Sequence, residues 1–506
     1  MASPPPPSPA PATAFDLRSW VERLWSSIAE RGRPYADALQ PKPSASALDR
    51  AREFATALLS ERGEASGAAV ARELHAALRD LGPEDRLAFY RFLAAGFLPD
   101  EERLREAARA YLAEPTPEHA ARLAEAADPT RQELLRRMNL ASGGTAALVA
   151  MREEVLGHLR ADPALKPLDS DLHHLFGSWF NRGFLQLRRI DWQTPAAVLE
   201  KLIAHEAVHE IQGWDDLRRR LAPDRRCFGF FHPALPGEPL IFVEVALTRG
   251  LAASVQPLLA RDGDEAGQRA REREADTAIF YSISNCQDGL RGISFGNFLI
   301  KQVVEELKAE LPGLVRFSTL SPVPGFRRWL ERGVRAEAGG GGPDADDVQA
   351  LAAAAGADAG QTPADALAAA TAGEWWTDDA RADALRGPLL RLCASYLTRP
   401  NTGATTGATT GATTGAGGTD PVARFHLGNG ARLERVNWLG NTSPRGMKES
   451  FGLMVNYLYD PDTIEANHET FVRSGAVVRS PAVDALLSPP GPEPASKRRP
   501  ARSRED

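Results

Sequence analysis

Apolar positions change their period near Phe176, and that change divides the chain. From Ser44 to about Leu159, alanines and leucines recur at three- and four-residue steps between arginines and glutamates, as at Leu74, Leu78 and Leu81. Such a period gathers apolar side chains on one helical face. Thr116-Pro117-Glu118 and Asp128-Pro129-Thr130 each set an oxygen-bearing side chain before a proline whose fixed φ suits a first helical turn. Both are expected helix starts. The segment predicts a helical bundle that serves packing and oligomerisation. Beyond Phe176 aromatics and glycines enter, and residues 239–247 (Pro-Leu-Ile-Phe-Val-Glu-Val-Ala-Leu) read as a strand that opens a mixed α/β domain.

Residues 277–330 carry the densest pattern. Thr277 to Ser284 is short, β-branched and aromatic, hence a mostly buried strand. Residues 285–297 then hold Gly289, Gly292 and Gly296 around Arg291 and predict a loop. From Phe298, the spacing of Ile300, Val303, Val304, Leu307 and Leu311 predicts an amphipathic helix that Pro312-Gly313 stops. Residues 315–321 alternate as a second strand. Strand, helix and strand in this order favour a right-handed parallel crossover. Glycines admit a close backbone approach, and the first N–H groups of a helix lack internal partners, so the loop suits a phosphate-bearing ligand. The same glycines also suit a plain tight turn; Arg291 weighs toward the ligand.

Composition narrows the class. With 43% hydrophobic and 25% charged residues among 506, the chain is that of a globular protein, and a formal charge of −7 makes no case for a nucleic-acid partner. Cys227, Cys286 and Cys393 are odd in number and far apart, which suggests neither a disulfide scaffold nor a cysteine metal cluster. The first residues have neither the basic and apolar segments of a secretory signal nor the arginines of a mitochondrial presequence, and no apolar stretch approaches a membrane span. A cytoplasmic setting is expected. Four parts emerge: a Pro/Ala-rich, largely disordered start (1–43), a helical domain (44–175), a mixed domain (176–487) with a loose Gly-Ala-Thr-Thr insertion at 402–418, and a disordered basic tail (488–506). Gly339 to Gly342 adds a flexible link.

His205-Glu206-Ala207-Val208-His209 matches the zinc-hydrolase pattern H-E-x-x-H on an expected helix, which would set both imidazoles on one face with Glu206 as general base. Gln212 stands where the extended pattern has glycine, and no third ligand follows. An ordinary helix with exposed histidines is therefore the expected reading, and no metal site is assigned.

Arg291-Gly292-Ile293-Ser294-Phe295-Gly296-Asn297 resembles, with altered spacing, the loop by which GNAT-type acyltransferases hold the pyrophosphate of coenzyme A. More broadly, Ser178-Trp179-Phe180-Asn181-Arg182-Gly183-Phe184-Leu185, Pro236-Gly237-Glu238-Pro239-Leu240, Phe280-Tyr281-Ser282-Ile283-Ser284, Leu320-Ser321-Pro322-Val323-Pro324-Gly325-Phe326 and Phe425-His426-Leu427-Gly428-Asn429-Gly430-Ala431 occur in the order shown by malonyl-CoA decarboxylases. Asn437-Trp438 and Gly452-Leu453-Met454-Val455-Asn456-Tyr457 continue the match, so the chain resembles that family from about Phe176 to Tyr459.

The resemblance implies an α+β protein: an all-helical amino-terminal bundle followed by a mixed α/β, GNAT-like, acyl-CoA-binding catalytic domain. It implies conversion of malonyl-CoA to acetyl-CoA and carbon dioxide without metal or organic cofactor, in a homo-oligomer assembled through the helical domain. Ser321 matches the family's catalytic serine and His426 its catalytic histidine, while Arg291, Gly292, Ile293, Ser294, Phe295, Gly296 and Asn297 match its coenzyme A segment. Some members have Glu where Ser294 stands, and Glu206 to His209 recurs without need of the first histidine. The chemistry requires stabilising an enolate and protonating carbon. Ser321, before the rigid Pro322 and Pro324, is expected to position the substrate carboxylate. His426, on a short helix capped by Asp420 and stopped by Gly428, is expected to titrate near neutrality and deliver the proton. Asn437, Arg445 and Tyr457 are candidate supporting residues. A GNAT-type acyltransferase and a zinc hydrolase are the alternatives.

Overall fold

A computed structural model describes residues 27, 30, 31, 46–60, 64–261, 264–293, 295, 299–335, 342–358, 360–399 and 420–488. The expected disordered start (those three positions aside), the 402–418 insertion and the tail beyond residue 488 lie outside the described residues, as does most of the Gly339–Gly342 link.

The amino-terminal region is helical, as its spacing predicts, with helices that include Ala47–Leu58, Glu64–Arg79, Pro83–Ala95, Thr130–Met138, Gly144–His158 and Lys166–Trp179. Phe54, Leu74, Leu81, Phe89, Leu134, Leu148 and Leu172 are buried in their shared core. Arg131 staples three of these helices: its guanidinium pairs with buried Asp171 at 2.6 Å and donates to the carbonyls of Leu93 (3.1 Å) and Ala94 (2.9 Å). Thr116 caps the helix Pro117–Ala127 as expected, its hydroxyl accepting from the His119 N–H. Asp128 behaves otherwise. It closes that helix at its carboxyl end, and the next begins after Pro129 with no side-chain cap. Two adjacent helices leave no room for a separate capping turn.

Among the described residues, the remainder builds one mixed sheet of eight strands: β1 (Gln186–Ile190), β2 (Arg225–Phe231), β3 (Pro239–Thr248), β4 (Thr277–Asn285), β5 (Arg316–Thr319), β6 (Ser321–Pro322), β7 (Arg432–Asn437) and β8 (Met454–Leu458). Their order is β1-β2-β3-β4-β5-β8-β6, with β7 also on β8. Every pairing is antiparallel except β4 with β5. The parallel pairing expected of the crossover is present: β4, loop, the helix Leu299–Glu310 and parallel β5. That helix buries Ile300, Val303, Val304 and Leu307 as its spacing predicts.

Two irregularities shape the sheet's centre. Opposite Glu244 and Val245 of β3 stand Ser282 and Phe280 of β4, so Tyr281 is an extra, bulged residue. The expected single strand at 315–321 is broken at Leu320: β5 pairs with β4 only as far as Thr319 opposite Phe280, whereas Ser321 pairs with Val455 of β8. Residues 281–285 thus stay with β3 while the chain through Ser321 leaves with β8.

Candidate active site

The parallel pair places both candidate pieces at the same end of the sheet, because Ser321 follows the end of β5 and the glycine loop follows the end of β4. β4 runs five residues past Phe280, roughly 16 Å at 3.3 Å per residue. Ser321 lies two residues beyond Thr319, the partner of Phe280, so the β4 end overshoots it by about three residues, a gap of roughly 10 Å along the strand.

His426 reaches Ser321 from a different element. Its helix, Pro421–Gly428, begins as expected with Asp420, whose carboxylate accepts the N–H groups of Val422 (2.9 Å) and Ala423 (3.3 Å). Gly428 is the last helical residue rather than the stop; the left-handed turn falls at Gly430, φ 82°. A Cβ there would lie 2.0 Å from the Ile464 carbonyl oxygen, so only glycine fits. Asp420 also accepts the Gly325 N–H at 3.0 Å, tying the turn after Ser321 to the helix that carries His426.

His426 Nε2 lies 3.0 Å from Ser321 Oγ, and its Nδ1 lies 2.8 Å from the Tyr459 hydroxyl. Ser321 Oγ donates to Thr319 Oγ1 at 2.9 Å, and Thr319 Oγ1 also accepts the Tyr457 N–H. Since the Ser321 proton goes to Thr319, the proton between Ser321 and His426 must sit on Nε2. Nδ1 then accepts from Tyr459. One direction runs through the chain, from Tyr459 to His426 to Ser321 to Thr319. The Tyr457 ring stacks on the imidazole at a centroid distance of 4.7 Å. Alternation accounts for the partners: Thr319 and Ser321, and likewise Tyr457 and Tyr459, are two residues apart in extended chain and share a face.

All five side chains are buried. Burial alone lowers the His426 pKa to about 3, contrary to the expectation of titration near neutrality. It also raises the hydroxyls of Tyr457 and Tyr459 well above their ordinary value. The centre is consequently neutral, a histidine among hydroxyls.

Of the loop, Arg291, Gly292, Ile293 and Phe295 are described, while Ser294, Gly296 and Asn297 lie outside the described residues. Arg291 is exposed and held by Asp288 at 2.6 Å. Gly292 takes a positive φ of 84°, as a tight approach requires. Gly289 has another reason to be glycine: a Cβ would meet the Val149 carbonyl oxygen at 2.0 Å, so it packs on the helical domain. From that domain, Arg152, buried and paired with Asp169, donates to the carbonyls of Gly289 (2.8 Å) and Arg291 (2.9 Å), and His173 Nε2 lies 3.2 Å from the Gly292 oxygen. Distant helical residues thus set the loop's shape, and no local pattern signals them.

The supporting candidates separate. Tyr457 is at the centre. Asn437 acts at one remove, donating to Asn456, which in turn donates to the Thr319 carbonyl at 2.8 Å. Arg445 lies elsewhere, donating to the Ala207 carbonyl and pairing with Glu449. The H-E-x-x-H helix is not continuous. It ends at His205, and Glu206 turns its carboxylate to the N–H groups of Val208 and His209 and the hydroxyls of Ser282 and Ser284. His205 is exposed and His209 buried, so they do not share a helical face; no cluster of three metal-ligating side chains occurs among the described residues.

Comparison with known proteins matches residues 97–180 to the malonyl-CoA decarboxylase N-terminal domain and residues 183–497 to the malonyl-CoA decarboxylase C-terminal domain. The chain belongs to the malonyl-CoA decarboxylase family. It is 37% identical over 368 residues to the mitochondrial malonyl-CoA decarboxylase of Anser anser anser, covering 71% of this chain and 70% of that protein. To the Mus musculus protein it is 35% identical over 403 residues, covering 78% and 77%. The crystal structure of malonyl-CoA decarboxylase from Rhodopseudomonas palustris is similar with a TM-score of 0.75 and 49% identity, covering 87% of this chain and all of that one. That from Agrobacterium vitis gives 0.74 and 47%, with the same coverage. The first match falls within the helical region, and the second spans all eight strands described above.

Proposed function

We propose that the chain is a carboxy-lyase that converts malonyl-CoA to acetyl-CoA and carbon dioxide, with Ser321 and His426 as its catalytic pair. The observation that carries this reading is the 3.0 Å contact of Ser321 Oγ with a neutral, buried His426 beside the ends of the parallel strands. Coenzyme A would lie with its phosphates on the loop at residues 291–297 and its extended pantetheine arm across the gap to Ser321. The malonyl carboxylate then accepts from the Ser321 hydroxyl, which swings from Thr319. In a buried, uncharged centre that carboxylate loses hydration, while the departing carbon dioxide is neutral and the remaining charge spreads onto the thioester oxygen. His426 transfers its Nε2 proton to the α-carbon as Tyr459 hydrogen-bonds Nδ1, and solvent restores the proton. The carbon–carbon bond breaks, a carbon–hydrogen bond forms, and one proton is taken up.

The reading places the enzyme in malonate and fatty-acid metabolism, cytoplasmic, with three buried free cysteines that suit a reducing setting. No helix among the described residues is long and apolar enough to cross a membrane. Assembly into a homo-oligomer through the helical domain is supported by the helix Glu101–Ala113, which buries none of its own residues and exposes Leu112. Incubating purified protein with malonyl-CoA, with and without chelator, tests the proposal: equal yields of acetyl-CoA and carbon dioxide in both arms are expected, and chelator-sensitive hydrolysis to free coenzyme A would overturn it.

A further inference from the structure

Away from the paired Ser321 and His426, a cavity of about 480 Å³ opens beside the start of β2, the end of β3 and the helix Glu265–Glu274. Its volume lies in the range of small-molecule sites. Four arginines line it, Arg219, Arg225, Arg249 and Arg271, against two carboxylates, Asp224 and Glu274. Asp224 is fully buried and already shared: it receives Arg219 at 2.7 Å, Arg271 Nε at 2.8 Å and Arg225 at 3.0 Å. Among the described residues Glu274 pairs with Arg249 alone, at 3.8 Å, with both side chains exposed. The lining is short of negative charge.

One guanidinium shows where an anion would go, beside a buried positive charge. Arg225 is buried, with its Nη groups bonded to the Asp224 and Leu258 carbonyls and its Nε enclosed, so it adds positive charge to the wall rather than an open donor. Burial and the neighbouring Arg219 and Arg271 hold its pKa below the ordinary arginine value, as expected of a cationic cluster with too few counter-charges. Arg271 commits Nε to Asp224, and its two Nη groups have no hydrogen-bond partner among the described residues. A guanidinium edge of this kind matches a carboxylate fork. The walls behind it are Leu247, Pro257, Leu258 and Ala260.

We propose that this cavity is a second binding site, for a carboxylate carried on a short apolar stem. It is independent of the acyl-CoA site. Thr248, on its wall, pairs with Thr277 at the first residue of β4, whereas the glycine loop follows the last, eight residues and roughly 26 Å away.

Calorimetric titration of the full chain with octanoate, in the presence of saturating coenzyme A, tests this. One site per chain is expected, weakened at least about tenfold by Arg271→Gln and several-fold by Arg249→Gln, whose side chain is exposed and held by one long contact. Octylamine and inorganic phosphate should not compete. Absence of saturable octanoate binding, binding undiminished in both variants, or displacement by coenzyme A would overturn the proposal. Competition by phosphate as effective as by octanoate would overturn the apolar-stem assignment.

Discussion

Removing the Tyr459 hydroxyl tests the direction of the hydrogen-bond chain at its origin. Tyr459 gives His426 Nδ1 its hydrogen bond, at 2.8 Å, with both groups buried. In Tyr459→Phe a buried ring nitrogen loses its partner, which costs about 1–3 kcal/mol. The imidazole can keep its proton on Nε2 and leave Nδ1 bare, or move the proton to Nδ1 and leave Ser321 facing an acceptor. Either outcome spoils proton delivery. At about 1.4 kcal/mol per tenfold, the expected loss in kcat is roughly 5- to 150-fold. KM should stay near the parent value, because Tyr459 is not assigned a substrate contact. Steady-state turnover of malonyl-CoA, with circular dichroism to confirm folding, gives the rate; nitrogen NMR of His426 gives the tautomer. A folded variant with kcat within twofold of the parent, or a parent enzyme carrying its proton on Nδ1, would refute the reasoning.

Other outcomes follow from the same contacts. Thr319→Val removes the acceptor for the Ser321 proton, so kcat should fall about tenfold while Thr319→Ser restores it; equal rates for the two variants would exclude that role. Arg152→Ala frees the Gly289 and Arg291 carbonyls from the helical domain and should raise KM for malonyl-CoA about tenfold with a smaller effect on kcat, the reverse split counting against a binding role. Acid should destabilise the fold through His426. As pH falls below 6.5 the unfolded chain takes up a proton that the folded state accepts only near 3, so stability is intact above 6.5 and drains between those values, by up to about 5 kcal/mol at 1.36 kcal/mol per unit. His209, lowered to about 4 chiefly by burial, acts in the same sense. Urea midpoints between pH 8 and 4 should therefore fall less in His426→Asn than in the parent, and parallel curves would contradict the buried neutral state.

What the sequence makes legible, and what it hides, divides along local and non-local physics. The crossover at residues 277–321 is legible because β-branched runs, a glycine loop and a 3.6-residue period are each local signals. Ser321 and His426 are legible because each sits in a short run resembling the family. Thr319 and Tyr459 are not, since what makes them partners is the pairing of β5, β6 and β8 across a long stretch of chain. The depressed pKa of His426 is hidden for the same reason: its cause is burial, which tertiary packing such as the stacked Tyr457 ring completes. His205 to His209 shows the opposite failure. Its pattern fits a zinc helix, but tertiary bonds from Ser282 and Ser284 to Glu206 favour a turn there.

The central claim is that the Ser321 and His426 pair decarboxylates malonyl-CoA. Single-turnover release of labelled carbon dioxide from malonyl-CoA, comparing the parent chain with His426→Asn under matched coenzyme A occupancy, tests it most directly. The account predicts one carbon dioxide per acetyl-CoA from the parent without added metal, and a rate about 10²- to 10⁴-fold lower in the variant with coenzyme A affinity retained. No carbon dioxide from the parent, or an undiminished rate in His426→Asn, would contradict it.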